Sequence, residues 1–343
     1  MNKVVFNLNT NQWHFWQILS GFLLLQKQGQ VTLTINYGVW RKYNTVAEAT
    51  INQIPVAYDI NDAAVINEEI YSKVQFYFKR MCLKSDLDTH PKLHPLGFNY
   101  LCYTKGWDFF KINHRLLPLF KKVSLQRFRY LPWVPEFLGW EDSIPSSNYK
   151  IFETDNIDRQ FLIQYSTRLW RWGNTKNPVW IAERKRLNGE RIELVRLLKN
   201  NFKGMYFGGI QNGSLVLEMA PDVVLDKKAY DKKSYVNNLK KSTIGIVTPG
   251  LEDSIAWKFG EYVATGMAIL CTPEFLKYAL PGEFREIKNF LIFNSPEECV
   301  EKICSLQKSK FALQQMMQAN IDYYKKYLKP DKLVGNTIDI ATK

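Results

Sequence analysis

The sequence is short of the groups that make staples and metal centres. Its 343 residues include five cysteines and four histidines. Cys82, Cys102, Cys271, Cys299 and Cys304 are odd in number and form no Cys-x-x-Cys pair. That argues against a disulfide framework or a structural zinc site and for a reducing compartment, each cysteine reading as a small buried hydrophobe. Long hydrophobic runs are missing too. The most apolar stretch, Phe15 to Leu25, contains Gln17, Ser20 and Gly21 and falls well short of the ~20 residues of a membrane span. Met1 to Asn9 holds one Lys and no small-residue cleavage site, so no signal peptide is expected. No repeat of ~20 to 50 residues appears.

Several chemical signatures are also missing. Without Gly-x-x-x-x-Gly-Lys-Ser/Thr or Gly-x-Gly-x-x-Gly, ATP hydrolysis and NAD-dependent hydride transfer are disfavoured. Without His-Glu-x-x-His or Gly-x-Ser-x-Gly, so are zinc proteases and serine hydrolases.

Acidic residues are under-represented against basic ones. There are 46 Lys+Arg and 33 Asp+Glu, a net charge of +13. Such an excess suits nucleic acid, an anionic membrane or a phosphorylated ligand. Residues 1–150 carry 17 basic and 11 acidic residues, and residues 151–343 carry 29 and 22, so there is no basic tail. One stretch stands out: 105–129 has seven Lys and Arg against Asp108, with Trp107, Phe109, Phe110 and Phe120 interleaved. It reads as a surface for an anionic leaflet or an acceptor, its apolar residues alone reading as a helix core face.

A composition of 46% hydrophobic and 23% charged residues is globular, and the length suits two domains. Short apolar runs at 3–8, 31–36, 55–59, 74–78 and 98–103 read as strands, with helices at 12–27 and 107–120. Residues 132–150, rich in Pro, Ser and Gly, read as a linker. Alternation then resumes. Strands are expected at 159–166, 205–208, 242–247, 267–271 and 289–293, and helices at 182–200, 229–241, 255–265, after Ser295, and at 311–328. Parallel sheets with crossover helices follow, with ligands at the carboxyl ends of the strands.

Two segments carry candidate chemistry. Asp86-Leu87-Asp88 with His90 and His94 has the spacing of a divalent-metal site, but Pro91 and Pro95 break any helix that would align the histidines, and a solvated loop is the simpler reading. Thr248 to Cys271 reads strand, Gly-containing turn, helix, Gly, strand. Gly250 and Ser254 fall by a helix N-terminus, where backbone N–H groups suit a diphosphate. Lys258 and Glu261 share one helix face, suited to phosphate and to ribose hydroxyls; the alternative is an ordinary surface Lys–Glu pair.

This segment resembles the donor-binding element of GT-B glycosyltransferases. There, an acidic residue is followed eight positions later by Glu and then by Ala-x-Gly and an apolar strand; here these are Asp253, Glu261, Ala264-Thr265-Gly266 and Met267 to Leu270. Ser254 and Lys258 ahead of the Glu also resemble exostosin-type and bacterial fucosyltransferase-type enzymes. The resemblance implies that Lys258 contacts the donor diphosphate and Glu261 the ribose. Asp253 in place of a first Glu, and Ser254 in place of Gly, depart from many retaining members. Arg168, after the strand that opens the second half, would clamp the leaving diphosphate; a stack on a neighbouring tryptophan is the alternative.

Inverting transfer needs a proton acceptor in the first domain. Asp59, at the end of an apolar strand, comes first, then Asp62, with His14 and Glu48 behind; turn and cap chemistry is the alternative for Asp59 and Asp62. The resemblance thus implies two Rossmann-like α/β domains facing a cleft: residues 1–148 for the acceptor, 149–310 for the nucleotide sugar, and a closing helix at 311–343 that crosses back. It implies a cytoplasmic glycosyltransferase at the inner face of a bacterial membrane. Such an enzyme uses no metal or cofactor and moves sugar from a nucleotide sugar to a surface glycan or lipid-linked oligosaccharide. The rivals are a nucleic-acid-binding protein, which should show a contiguous basic stripe, and a non-catalytic sugar-nucleotide binder.

Overall fold

Two six-stranded sheets organise the chain in a computed structural model that describes residues 1–8, 13–37, 45–104, 148–173, 175–226 and 232–343. The chain divides into two units. Unit 1 comprises Met1–Ile151, Leu276–Glu283 and Tyr323–Lys343; unit 2 comprises Phe152–Phe275 and Phe284–Asp322. The basic-aromatic stretch 105–129, the helix expected at 107–120 and nearly all of the expected linker lie outside the described residues.

In unit 1 the strands are β1 (Asn2–Leu8), β2 (Val31–Tyr37), β3 (Val46–Ile51), β4 (Ile54–Asp59), β5 (Phe76–Lys79) and β6 (Leu93–Pro95), in the sheet order β2-β1-β3-β4-β5-β6. The expected sheet was all parallel, and β3 departs from that: it runs antiparallel to both β1 and β4. It forms a hairpin with β4 across Asn52 and Gln53, both left-handed at φ 50° and 73°. Asn52 is held there by three bonds to β1: its N–H donates to Lys3 O at 2.8 Å, its Oδ1 accepts from Lys3 N at 2.8 Å, and its Nδ2 donates to Asn2 Oδ1 at 2.7 Å. Asn tolerates this conformation better than most residues.

Helix α1 (Trp16–Lys27) covers the sheet together with the C-terminal helix of the chain, α10 (Pro330–Ala341), which is the last part of the segment expected at 311–343. Between them, α2 (Glu68–Tyr71) and α3 (Tyr149–Phe152) are single turns. Phe6, Phe22, Tyr58 and Phe78 form the aromatic centre, with successive centroids 5.5–5.9 Å apart. The Tyr58 hydroxyl, buried among them, bonds Thr337 Oγ1 of α10 at 2.8 Å. Residues 98–103, expected as a strand, are buried but irregular, and the edge strand is β6 instead. The side chain of buried Gln17 supplies what a neighbouring strand would have given: its Oε1 accepts from Tyr100 N at 3.3 Å and Asn99 Nδ2 at 3.1 Å.

Unit 2 follows the expected alternation closely. Its strands are β7 (Ile163–Thr167), β8 (Tyr206–Gln211), β9 (Val224–Leu225), β10 (Ile244–Val247), β11 (Ala268–Cys271) and β12 (Phe290–Ile292). Its helices are α4 (Pro178–Asn201), α5 (Ser214–Met219), α6 (Lys232–Lys241), α7 (Trp257–Ala264), α8 (Pro296–Lys308) and α9 (Lys310–Tyr323). Local chemistry sets the ends. Asn177 Oδ1 caps α4 by accepting from Val179 N, and Pro178 occupies the first turn. Ser295 Oγ accepts from Glu298 N at 3.2 Å to open α8. Gly266 closes α7 at φ 58°, where a Cβ would come within 2.4 Å of Ile321 Cγ1.

All strands of this sheet are parallel, in the order β12-β11-β10-β7-β8-β9. The first strand, β7, sits centrally, with the next two strands on one side and the last three on the other. The order therefore reverses between β7 and β10, and the crevice outside their carboxyl ends is the switch point where open α/β sheets bind ligands.

Candidate functional site

The loops that leave β7 and β10 are tied together at the switch point by a residue from α4. Arg191 is 4% exposed. Its Nη1 donates to Arg168 O at 2.7 Å and its Nη2 to Pro249 O at 2.6 Å. One turn earlier, fully buried Asn188 grips the backbone of Trp170, accepting from its N–H at 2.8 Å and donating to its carbonyl at 2.9 Å. These contacts hold the segment after β7 in a fixed path. The exposed Arg168 guanidinium then lies over the Trp170 ring, 4.1 Å from its centroid.

Lys258 enters from the first turn of α7. Its Nζ donates to Ser166 O at 2.7 Å and lies 5.3 Å from the Tyr165 ring centroid. Tyr165 is itself fixed, its hydroxyl 3.0 Å from Thr248 Oγ1 after β10. Burial lowers the Lys258 pKa to about 7, reinforced by the Arg191 and Arg168 charges and opposed by Glu261. Burial likewise pulls Arg191 below the ordinary arginine value. Three cations thus converge where the strand order reverses, and the two arginines raise the cost of charging Lys258. An incoming dianion would relieve that cost.

The remaining residues singled out in unit 2 are placed as follows. Gly250 donates its N–H to Ser254 O at 2.8 Å, and Ser254 donates its own to Leu251 O at 3.1 Å, so these two amides close a tight loop rather than point at a ligand. A Cβ at 250 would sit 2.4 Å from Ser254 Oγ and would displace that hydroxyl. The helix begins later than the spacing suggested: α7 starts at Trp257 with Ala256 as its N-cap, leaving Ser254 upstream. Asp253 Oδ1 lies 3.9 Å from the Arg186 guanidinium. Glu261 is 5% exposed, and its Oε2 accepts from Tyr235 Oη at 2.7 Å. A small depression at the ends of β10 and β11 is lined by Thr248, Asp253, Ser254, Thr272 and Glu274.

The proton-acceptor candidates of unit 1 differ in their surroundings. Asp59 ends β4 but is 1% exposed, and three donors occupy it. Its Oδ2 accepts from Tyr77 Oη at 2.7 Å and Lys79 Nζ at 2.8 Å, and its Oδ1 accepts from Asn61 N at 2.9 Å. Lys79 is itself fully buried, so Asp59 and Lys79 form a buried ion pair with both carboxylate oxygens hydrogen-bonded. Asp62 differs: its side chain is 60% exposed and pairs with the buried Arg80 guanidinium. His14, half-buried, senses the same pair. Burial and the Arg80 charge lower its pKa to about 4, opposed by the Asp62 charge and by a side-chain hydrogen bond to Asn99. Glu48 lies mid-strand in β3, in register with Ala57.

The histidine and aspartate motif does not assemble. His90 Nε2 lies 3.7 Å from Glu68 Oε1, whereas His94 packs between Phe76 and Phe78, each centroid 5.6 Å away. Among the described residues, no group of three or more His, Cys, Asp and Glu is placed to hold a metal ion. Nor is any described helix long and apolar enough to cross a membrane. All five cysteines are free thiols.

No protein-family model matches the sequence, and no curated protein matches it. Solved structures show a distant likeness. The C-terminal domain of LpcC, a group 1 family glycosyl transferase from Francisella tularensis, is 12% identical over 53% of this chain and 97% of that domain, with a TM-score of 0.34. The pneumococcal O-GlcNAc transferase GtfA, in complex with UDP and GlcNAc, is 10% identical over 94% of this chain and 55% of its own, with a TM-score of 0.39. An α1,3-fucosyltransferase is 12% identical over 99% and 90%, with a TM-score of 0.37. The chain itself is of the α/β class, with two units each built on a sheet and Rossmann strand order in the second.

Arg191 and Asn188 were not visible in the sequence as site residues. They sit in a long helix whose Leu, Ile and Val spacing announces a core face, and nothing in that spacing distinguishes a buried Arg that reaches loop carbonyls from one that faces solvent.

Proposed function

We propose that this protein is a GT-B-type glycosyltransferase whose second unit binds a nucleotide sugar through its diphosphate. The observation that supports this is the convergence of Arg168, Arg191 and Lys258 at the switch point of a Rossmann-ordered sheet. Glycosyl transfer breaks the bond between the anomeric carbon and the diphosphate oxygen while the acceptor oxygen bonds to that carbon. Negative charge grows on the departing nucleoside diphosphate, and fixed cations in a partly desolvated site stabilise it without a metal ion. Ser254 and Asp253 flank the same loop, and Glu261 serves as a hydrogen-bonded support in the Tyr235 contact.

For inverting transfer the acceptor hydroxyl must lose its proton. His14 is the residue we propose to receive it, with Asp62 and Arg80 setting its charge. Its imidazole is neutral near pH 7 and so open to a proton, while burial and the Arg80 charge make it a weaker base than an exposed histidine. The acceptor is proposed to be a saccharide or lipid-linked oligosaccharide of surface glycan assembly. Five free thiols support a cytoplasmic location.

Thermal unfolding of the full chain with UDP, GDP, CMP and dTDP tests the reading. Stabilisation by a nucleoside diphosphate is expected. Indifference to all four, beside clear retention of nucleic acid, would overturn it.

A further inference from the structure

The cation cluster at the switch point is the inner end of a longer surface strip in unit 2. From Arg168 to Arg186 the sequence carries six basic residues and one acidic residue, Glu183, with three tryptophans among them. Each tryptophan is matched to a cation. Arg168 lies 4.1 Å from Trp170, Lys185 lies 5.7 Å from Trp172, and Arg184 lies 5.9 Å from Trp180. Glu183 is engaged with the Glu252 amide at 2.6 Å, and Arg186 pairs with Glu190 at 2.9 Å. Arg171, Lys176, Arg184 and Lys185 have no carboxylate within ion-pair distance among the described residues.

The strip is also apolar where a surface normally is not. At the start of α4, Val179 is 71% exposed and Trp180 44% exposed. Arg171 bonds Ser214 Oγ at the start of α5, and α5 carries two further exposed apolar residues, Leu217 at 53% on the turn above Ser214 and Met219 at 39%. Exposed large aliphatics beside tryptophan and unneutralised cations satisfy two requirements at once. The cations suit a layer of anionic charge, and the aliphatics and the indole suit the acyl boundary beneath it. A single-stranded nucleic acid would use the rings and the charges but gain nothing from Val179, Leu217 or Met219.

We propose that this face, the loop after β7 with the first turns of α4 and α5, docks unit 2 onto an anionic lipid bilayer. The assignment does not depend on the transferase reading. The stretch 105–129 plays no part in it.

Co-sedimentation of the full chain with vesicles of phosphatidylcholine alone, and of phosphatidylcholine with phosphatidylglycerol, tests it. Binding is expected only to the anionic vesicles, and it should fall as salt is raised. Lys176→Glu with Lys185→Glu should weaken it by roughly tenfold or more. Val179→Ser with Trp180→Ala should weaken it further at high salt, where charge is screened. All four side chains are at the surface, so the variants should keep the wild-type melting temperature. Bromine-labelled acyl chains should quench tryptophan emission in the wild type, and less in Trp180→Phe. Equal sedimentation of wild type and both variants, or no vesicle binding beside tight binding of a single-stranded oligonucleotide, would overturn the assignment.

Discussion

Arg191 donates from Nη1 to the carbonyl oxygen of Arg168 at 2.7 Å, while its second terminal nitrogen takes the carbonyl of Pro249 at 2.6 Å. One buried guanidinium thus fixes the distance between the loops that leave the two strands at the switch point. Its planar fork is what allows this, and an ammonium has no equivalent reach.

The first prediction concerns that staple. Arg191→Met removes two charge-assisted hydrogen bonds and leaves two carbonyls without their donors. Bonds of this kind contribute about 1.5–3 kcal/mol each, so a loss of roughly 3–6 kcal/mol is expected in a denaturant titration. Arg191→Lys should recover only part of it. Nucleotide affinity should fall in both variants even where the protein is fully folded, because Arg168 loses its fixed path.

On the proposed site, Lys258 should make diphosphate binding depend on pH. Its pKa in the free protein lies at about 7, and a bound dianion favours the protonated form, so binding takes up a proton above that value. Affinity should be flat below pH 7 and weaken above it, by at most ~10-fold per pH unit for one coupled proton. Calorimetry in buffers of different ionisation enthalpy would show the uptake. In Lys258→Met the slope should vanish.

Asp59 should prove structural. Asp59→Asn leaves the buried Lys79 ammonium without its counter-charge, which typically costs about 3–5 kcal/mol. Turnover per folded molecule should survive. Combining Asp59→Asn with Lys79→Met should restore most of the lost stability, as measured by a double-mutant cycle.

His14 should behave in the opposite way, with His14→Asn removing turnover while leaving the nucleotide-induced thermal shift intact. Its folded pKa, about 4, is depressed from 6.5 by burial and by Arg80. The unfolded chain therefore binds more protons between pH 4 and 6.5, and this residue's contribution to stability is lost as pH falls through that window. By the same shift, the turnover profile should show no acid limb near pH 6.5.

Much of unit 2 was legible because its strands and helices each carry a local signal. Buried runs such as Ile244–Val247 are stopped by Pro249 and Gly250, and Ser295 opens a helix with Glu298 three residues on. Unit 1 was less so. The β3–β4 hairpin turns on Asn52 and Gln53, which lack the glycine that usually marks such a turn, and Asn52 is held by contacts to β1 that are remote in sequence. Residues 98–103 have the apolarity of a strand, but the Tyr100 N–H goes to the Gln17 side chain rather than to a neighbouring strand. Asp59 sits where a cleft residue should be, and only the placement of Tyr77 and Lys79 reveals that its oxygens are occupied. The cation at 258 was visible from its motif; the one at 191 was not, because its partners are main-chain atoms.

The claim at the centre is that Lys258 and the arginines beside it hold a diphosphate. Titration calorimetry of the wild type and Lys258→Met with the nucleoside diphosphate that gives the largest thermal shift tests it most directly. A loss of about 10- to 100-fold in affinity is predicted for the variant, with its melting temperature unchanged or raised by removal of a buried charge. Equal affinity in the two proteins would contradict it.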